Sequence, residues 1–215
     1  MVERPGAQQD IIAHFTASGA AIEASLRDAA FIDTVVRIAE LWAAILSDGR
    51  KILLAGNGGS AGDAQHIAGE LLSRLAVDRP ALAAVALTTD GSVLTAIGND
   101  YGYEQVFARQ VAGLGRPGDV FVGLSTSGNS RNIVTALKVA RESGLHTVGM
   151  TGQSGGAMLT FCDLCLCVPA TATPLIQQIH LVAAHAMCGM VESRLFGPSR
   201  PVTSGTEFAR TSPPR

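Results

Sequence analysis

His66 and Glu70 bring an imidazole and a carboxylate to positions four residues apart, in a stretch with a helical pattern. Residues at this spacing lie on the same face of an α-helix. Such a pair can bind a divalent metal ion, exchange protons with a substrate, or form an ordinary surface contact. A surface contact is the commonest of the three for an isolated pair, so other residues of the chain must distinguish between them.

Further candidate ligands lie on a long apolar helix that the sequence predicts over residues 171–196, namely Gln177, His180 and His185. A histidine on an apolar helix is most often a core residue, yet this helix carries two of the chain's five. Zinc accepts histidine nitrogen and glutamate oxygen, and catalytic zinc sites keep one position open. Gln177 and His185 are about 12 Å apart along an ideal helix, which is far for two ligands of one ion. His180 is closer to Gln177 in sequence and is therefore the alternative to His185 as a ligand.

Two loops rich in glycine and hydroxyl groups each follow a short apolar strand and precede a helix. The first, called the glycine loop below, contains Asn57, Gly58, Gly59 and Ser60. The second, called the serine loop, contains Ser125, Thr126, Ser127 and Ser130. Free N–H groups and the dipole at a helix N-terminus favour an anion, and neighbouring hydroxyls suit a phosphate monoester. An ordinary capped loop is the alternative. The absence of a Walker pattern and of the dinucleotide glycine spacing disfavours an NTPase and an NAD enzyme.

The composition of the chain limits its class. With 215 residues it is long enough for one domain with extensions, and 47% of them are hydrophobic. A net charge of −2 gives no reason to expect nucleic acid as a partner. No apolar run approaches the roughly 20 residues of a membrane-spanning helix, and the first residues lack a signal-peptide core. We therefore expect a cytoplasmic protein with no membrane partner, with some apolar surface buried between subunits.

The four cysteines are open to two interpretations. Cys162, Cys165 and Cys167 are close in sequence, whereas Cys188 lies apart from them. A metal knuckle would need a second ligand pair at zinc-finger spacing, and none follows. We therefore favour cysteines that pack as small hydrophobic residues in a buried strand.

Short apolar strands alternate with helical segments along most of the chain. The strands are predicted at residues 51–55, 83–87, 120–124, 146–150 and 164–168. Residues 98–102 are predicted as a polar loop and residues 104–111 as a helix. This alternation is typical of an α/β protein with a parallel sheet covered on both faces. Ligands bind beyond the carboxyl ends of strands in such sheets, where both loops lie.

The chain is divided into three predicted parts. Residues 1–33 form an N-terminal helical extension that packs between subunits, and its first helix breaks near Asp28 to Asp33. Residues 34–197 form the α/β domain. Residues 198–215 are rich in proline, serine and threonine and are predicted to be disordered.

Several of these stretches together resemble the phosphoheptose isomerases of the sugar isomerase (SIS) fold. The matching stretches are 55–60, 63–66 with Glu70, 98–102, 125–130, and 176–177 with His185. The resemblance covers residues 11–196. The glycine and serine loops alone indicate a sugar-phosphate SIS domain, whereas the candidate metal ligands single out the isomerase branch.

The resemblance implies a three-layer SIS fold and a zinc-dependent aldose–ketose isomerase. Its substrate would be sedoheptulose 7-phosphate and its product D-glycero-D-manno-heptose 7-phosphate, the first step toward nucleotide-activated heptose for lipopolysaccharide or capsule. It also implies a homotetramer with active sites at subunit interfaces. One zinc ion per subunit would be held by His66, Glu70, Gln177 and His185. The implied substrate-binding residues are Asn57, Gly58, Gly59, Ser60, Glu70, Asn99, Asp100, Ser125, Thr126, Ser127, Ser130 and Gln177.

Glu70 and His185 match the family's proton-transfer pair. Conversion of a ketose to an aldose requires a proton to leave C1 and return at C2 through an enediol. A carboxylate with a suitably tuned pKa can carry that proton. A neutral imidazole suits proton transfer at the hydroxyl oxygens. We therefore expect Glu70 to act at carbon and His185 at oxygen.

The chain departs from the family's pattern on both sides of Gln177. The family has an acidic and a basic residue where this chain runs from Ala172 to Leu175, and a glutamate where it has Gln178. The loss of charge near the site makes an isomerase for another phosphosugar one alternative. A non-catalytic SIS-domain adaptor that binds a protein partner is another, although it would have no use for the four candidate ligands.

Overall fold

The structure is a computed structural model that describes residues 5–197. Its α-helices are α1 (Pro5–Arg27), α2 (Ala29–Ser47), α3 (Gly59–Leu72), α4 (Gly91–Tyr101), α5 (Ala108–Leu114), α6 (Arg131–Glu142) and α7 (Thr173–Phe196). Its strands are β1 (Ile52–Gly56), β2 (Ala84–Ala86), β3 (Val120–Leu124), β4 (His146–Thr151) and β5 (Leu164–Cys167). Two 3-10 segments cover Tyr103–Gln105 and Gly156–Phe161. The predicted disordered tail lies outside the described residues.

The five strands form one parallel sheet in the order β2-β1-β3-β4-β5. The chain places β2 on one side of β1 and then returns to place β3, β4 and β5 on the other side. The direction of winding therefore reverses between β1 and β3. Their last residues, Gly56 and Leu124, are paired in register. The two predicted anion-binding loops therefore begin side by side at the switch point of the sheet, where open α/β sheets bind ligands.

Helices cover both faces of this sheet. Alternate residues of β1 point to opposite faces, so Ile52 and Leu54 belong to one buried cluster and Leu53 and Ala55 to the other. Residues of α2, α3 and α7 pack on the first face, and residues of α5 and α6 pack on the second. The predicted three-layer α/β fold with N-terminal helices is thus confirmed. None of the helices within residues 5–197 has both the length and the apolarity to span a bilayer.

Helix α1 lies against α2 and α7 but leaves most of its apolar side chains uncovered. Ile11, Phe15 and Leu26 are exposed, with Phe15 at 74%. An apolar cavity of about 160 Å³ lies between α1, α2 and α7. The break between the first two helices occurs at Asp28, whose carboxylate accepts a hydrogen bond from Phe31 N. The predicted domain boundary after residue 33 lies inside the continuous helix α2 and remains a prediction.

One local prediction was wrong and another was right only in part. Residues 98–102, predicted as a polar loop, include the last turn of α4. Asp90 caps this helix by accepting from Val93 N, and the side chains of Leu94 and Ile97 pack on the core, so tertiary contacts override the polar sequence. The helix predicted over residues 104–111 is instead a 3-10 turn followed by α5.

A buried ion pair joins the end of α3 to α7. Arg79 Nε lies 3.1 Å from Glu192 Oε1, with the side chains 1% and 0% exposed. Glu192 also accepts hydrogen bonds from the backbone N–H groups of residues 75–77. The Arg79 guanidinium in turn donates to the carbonyl oxygens of Glu70 and Leu71, which lie in the last turn of α3 and have no partner within the helix. Burial raises the pKa of Glu192, but these donors outweigh it and hold the pKa below its usual range.

We expect Glu192→Gln to lower the free energy of unfolding by about 3 kcal/mol, because it leaves the Arg79 charge buried without a counter-charge. Urea denaturation at fixed protein concentration measures this change. The matched control is Glu40→Gln, which breaks the exposed Arg194–Glu40 pair and should cost no more than about 1 kcal/mol. Equal effects of the two variants would contradict the prediction.

The same pair gives a pH dependence. Because the folded-state pKa of Glu192 is below its ordinary value of 4.5, its stabilisation is fully present above that pH and is lost as the pH falls through the folded-state pKa. The stability of Glu192→Gln should therefore fall less steeply in acid than that of the unchanged protein.

Candidate functional site

Helix α3 presents His66 and Glu70 on one face, as their spacing predicts. Glu70 Oε1 lies 3.3 Å from His66 Nε2, and the side chains are 20% and 44% exposed respectively. The helix begins at Gly59, within the glycine loop that follows β1. The carboxylate and imidazole therefore lie about two to three turns beyond a helix N-terminus that can bind an anion.

Helices α3 and α7 run side by side in the same direction. Gln177 lies against Gly59, His185 against His66, and Glu192 against Leu75. The order of these contacts is the same along both helices. This parallel packing places the histidine of α7 beside the imidazole and carboxylate of α3.

His66, Glu70 and His185 form one cluster. The two Nε2 atoms of His66 and His185 are 2.8 Å apart, and each residue offers one ligand atom within 4.8 Å of the others. Two imidazole nitrogens and a carboxylate oxygen are the donor set of many catalytic zinc sites, which use three protein ligands and leave one position open. The residues present therefore fit a divalent transition metal. This is the one such group of histidine, cysteine and acidic residues within the described part of the chain.

His180, the alternative ligand, lies elsewhere. Its ring is fully buried, and Nε2 lies 3.3 Å from the carbonyl oxygen of Thr151 on β4. Burial lowers the pKa of His180 to about 4, although the contact with Thr151 opposes that shift. His180 is thus a neutral core residue that packs against the sheet, and the structure brings His185 to the cluster instead.

Gln177 and Gln178 point in different directions from α7. A Cβ at Gly59 would lie 2.5 Å from Gln177 Nε2, so only glycine lets this amide approach the start of α3. Its role as a metal ligand remains a prediction. Gln178 Nε2 lies 3.4 Å from a ring nitrogen of His14 on α1. The replacement of the family's glutamate by Gln178 therefore bears on the contact with α1. Leu175, the other departure from the family pattern, packs on the core.

The serine loop brings its hydroxyl groups together at the end of β3. Ser125 Oγ lies 2.8 Å from Ser130 Oγ and 3.5 Å from Ser127 Oγ. Ser130 is the N-cap residue of α6, yet its hydroxyl makes no capping bond. Gly128 has a φ of 67°, and a Cβ there would collide with Gly155 O. Hydroxyls and free helix N–H groups thus converge at one point, which suits a phosphate group.

A cavity of about 480 Å³ lies beside this loop, lined in part by Thr126, Ser127, Gln153 and Thr171. A cavity of this size accommodates a small phosphorylated ligand. Ser60, from the glycine loop, is buried in the first turn of α3. Because the ends of β1 and β3 are paired, the glycine and serine loops that follow them border one region at the switch point of the sheet.

Asn99 and Asp100 are exposed in the last turn of α4, where Asn99 Nδ2 donates to Asp100 Oδ1. Asp100 also lines a cavity of about 620 Å³ between α4, α5 and β2. Within one chain, the structure does not bring either side chain into contact with the cluster of His66, Glu70 and His185. Their assignment as sugar contacts remains a prediction.

Three residues near the site were not among the predicted site residues. Asn132 and Tyr103 both form hydrogen bonds with Asn57 in the glycine loop. Asp63, one turn before His66, is buried, and its Oδ2 has no partner among the described residues. Burial raises the pKa of Asp63 to about 6, although His66 lowers it in part. Asp63 could have been found from its spacing to His66 on the same helix. Asn132 and Tyr103 could not, because they meet Asn57 only in the folded chain.

The cysteines are free thiols, as expected. Cys165 and Cys167 lie on β5 with their sulfur atoms 3.9 Å apart, and Cys188 is buried on α7. Cys162 precedes β5 and is not part of the strand, so that detail of the prediction was wrong. No cysteine of residues 5–197 joins a metal-binding group.

The sequence and the fold have clear relatives among known proteins. A family model described as the SIS domain matches residues 10–152. A phosphoheptose isomerase from Burkholderia pseudomallei (strain 1710b) is 57% identical over 174 residues, covering 81% of this chain and 88% of that protein. Solved structures of phosphoheptose isomerases from Neisseria gonorrhoeae and Francisella tularensis are 46% and 34% identical, with TM-scores of 0.81 and 0.84. They cover 86% and 87% of this chain, and each is itself 98% covered.

We expect the chain to bind one zinc ion at the His66, Glu70 and His185 cluster, and His185→Ala to weaken zinc binding at least about 100-fold by removing one of three ligands. Calorimetric titration and metal analysis measure this directly. Affinity should also fall as the pH is lowered, because protons compete with the metal for its ligands.

The matched control is His146→Ala, which removes an exposed histidine at the start of β4 that lies outside the cluster. It should bind zinc as the unchanged protein does. Zinc binding by His185→Ala at unchanged affinity and stoichiometry would contradict the assignment of this cluster.

Proposed function

We infer the function from one premise, which is that this chain belongs to the phosphoheptose isomerase family of SIS-domain proteins. It is an isomerase that converts sedoheptulose 7-phosphate to D-glycero-D-manno-heptose 7-phosphate, an early step of heptose biosynthesis. The convergence of His66, Glu70 and His185 beside two anion-binding loops supports this assignment most directly. The resemblance adds that the product leads to nucleotide-activated heptose for lipopolysaccharide or capsule.

The resident metal is proposed to be zinc. His66, Glu70 and His185 would hold it, and Gln177 is the fourth ligand by resemblance to the family. When bound, zinc supplies a Lewis acid that polarises the substrate carbonyl. The nitrogen and oxygen donors of the cluster support zinc over magnesium or calcium, which prefer all-oxygen sites.

Proton transfer is assigned to Glu70 and His185. The Glu70 carboxylate removes the proton from C1 of the ketose and returns it at C2, and His185 moves protons at the hydroxyl oxygens. Glu70 is partly buried and carries a defined orientation from its contact with His66. A carboxylate that contacts an imidazole and keeps about a fifth of its side chain exposed can reach a substrate carbon.

The substrate is proposed to bind with its phosphate at the serine loop, which provides Ser125, Thr126, Ser127 and Ser130. Its sugar would lie between the glycine loop and the metal cluster. The sugar-contacting set is Asn57, Gly58, Gly59, Ser60, Glu70, Asn99, Asp100 and Gln177. The adjacent ends of β1 and β3 support this orientation, because they hold both loops at one edge of the sheet.

The active form is proposed to be a homotetramer with sites at subunit interfaces. The uncovered apolar side chains of α1 support this proposal, since an exposed patch of this kind marks an interaction surface. The cytoplasm is the proposed compartment because a charged sugar phosphate does not cross a lipid bilayer. The adaptor alternative leaves the metal-binding cluster without a purpose and is not favoured by any feature of the site.

We expect Glu70→Gln to lower turnover of sedoheptulose 7-phosphate at least about 1,000-fold while the fold is retained, because the amide cannot accept the proton from carbon. NMR in D₂O follows both product formation and deuterium incorporation at C2. Metal analysis of the same sample separates loss of the base from loss of zinc.

Glu142→Gln is the control, because it makes the same change at an exposed position at the end of α6. It should turn over normally. Normal turnover and normal deuterium incorporation by Glu70→Gln would remove Glu70 from its proposed role, and an unchanged protein without turnover would overturn the proposed function.

We expect Phe15→Glu to convert the tetramer to smaller species, because it places a charge on the exposed apolar face of α1. Light scattering coupled to size-exclusion chromatography measures the mass of each species. Leu114→Glu changes an exposed leucine of α5 and should leave the mass unchanged. A tetramer that survives Phe15→Glu would exclude this face of α1 from the interface.

A further inference from the structure

We propose that Asn132 is a positioning residue that holds the side chain of Asn57 so that one of its N–H groups faces the sugar. The proposal rests on the proposed function, because it concerns the same site. Asn57 belongs to the glycine loop, whereas Asn132 lies in the first turn of α6, directly after the serine loop. No sequence pattern connects the two residues.

The two asparagine side chains form a reciprocal amide pair. Asn57 Nδ2 donates to Asn132 Oδ1 at 2.9 Å, and Asn132 Nδ2 donates to Asn57 Oδ1 at 2.9 Å. Asn132 is only 4% exposed, so water does not compete freely for these bonds. Two parallel hydrogen bonds fix both the position and the plane of the Asn57 amide.

Tyr103 adds a third bond to the same amide. Its hydroxyl donates to Asn57 Oδ1 at 3.1 Å from the 3-10 turn that follows α4. The next residue of this turn, Glu104, forms an ion pair of 3.0 Å with Arg131 of α6. Asn57 thus joins three segments, namely the glycine loop, helix α6 after the serine loop, and the 3-10 turn after α4.

A count of donors and acceptors shows what remains for a ligand. An asparagine amide has two N–H donors and an oxygen with two lone pairs. Asn57 Oδ1 accepts from both Asn132 and Tyr103, and one N–H of Nδ2 is donated to Asn132. One N–H is left without a partner among residues 5–197. Asn57 can therefore donate to a carbonyl, hydroxyl or phosphate oxygen of the substrate but has no acceptor capacity left for it.

This arrangement assigns different roles to the two residues. Asn57 contacts the sugar, and Asn132 acts only through Asn57. Loss of Asn132 should therefore lower activity because Asn57 turns away from its productive geometry. Phosphate binding at the serine loop does not depend on this amide plane and should remain.

A double-mutant cycle tests this relation. In the zinc-loaded full chain with sedoheptulose 7-phosphate, Asn132→Ala should lower kcat/KM at least about tenfold, because small misplacements of a substrate contact are costly. In an Asn57→Ala background the same change should lower kcat/KM less than about twofold. The inhibition constant of inorganic phosphate should change less than about twofold in every variant.

A purely structural role for Asn132 would give a different pattern. Asn132→Ala would then lower kcat/KM by the same factor in both backgrounds, and it would also lower the thermal unfolding midpoint of the protein. That additive result, or an Asn132→Ala or Asn57→Ala variant with full activity, would overturn the inference. An unchanged protein that turns over substrate shows in the same assay that the proposed function holds. An unchanged protein without turnover would overturn the proposed function and this inference with it.

Tyr103→Phe keeps the test valid if Asn132→Ala fails to fold, because it removes one exposed hydroxyl and no core atom. It should lower kcat/KM about threefold to tenfold, since it removes one of the three bonds that hold the amide. The matched control is Tyr101→Phe, a neighbouring exposed tyrosine whose ring contacts Arg109 through its face. Equal activity of the two variants would overturn the part of the inference that concerns Tyr103.

Discussion

The buried Arg79–Glu192 pair sets the register on which the candidate site depends. Glu192 holds the chain that leaves α3 by accepting three backbone N–H groups, and Arg79 returns to the last carbonyl groups of α3, including that of Glu70. The two helices are thereby joined at one end, while Gln177 contacts Gly59 at the other. His66 and His185 meet between these two points. A buried polar contact outside the cluster, which reaches the backbone of Glu70, thus helps to hold in register the two helices that carry the candidate metal ligands.

The sheet contributes the second half of the site. Because winding reverses between β1 and β3, the glycine and serine loops start from adjacent paired residues. The two helix N-termini that follow them then face one region without any dedicated connection. The amide pair of Asn57 and Asn132 fixes these loops relative to each other. The rigid parts of the fold position the chemistry, and the loops only have to be short and rich in glycine and hydroxyl groups.

The sequence predicted those features that depend on local pattern. The five strands were found within about a residue of their predicted bounds, since each is a short apolar run between turns. The end of α4 was missed because its polar residues stay helical only through core contacts of Leu94 and Ile97. Helix spacing suggested the pairing of His66 with Glu70, but the choice between His180 and His185 required the packing of α7. Asn132 and Tyr103 were invisible for the same reason, because the segments that carry them meet Asn57 only in three dimensions.

The adjacent residues Gln177 and Gln178 connect two properties of the molecule that are usually treated separately. One side chain lies at the start of α3 beside the site, and the other lies against His14 on α1, whose apolar face is uncovered in a single chain. If assembly buries α1 and shifts its packing on α7, the contact of Gln178 with His14 changes one residue away from the contact of Gln177 with the start of α3. The specific activity of the protein then depends on its own concentration. The expression level of the protein would then set both the number of molecules and the specific activity of each molecule.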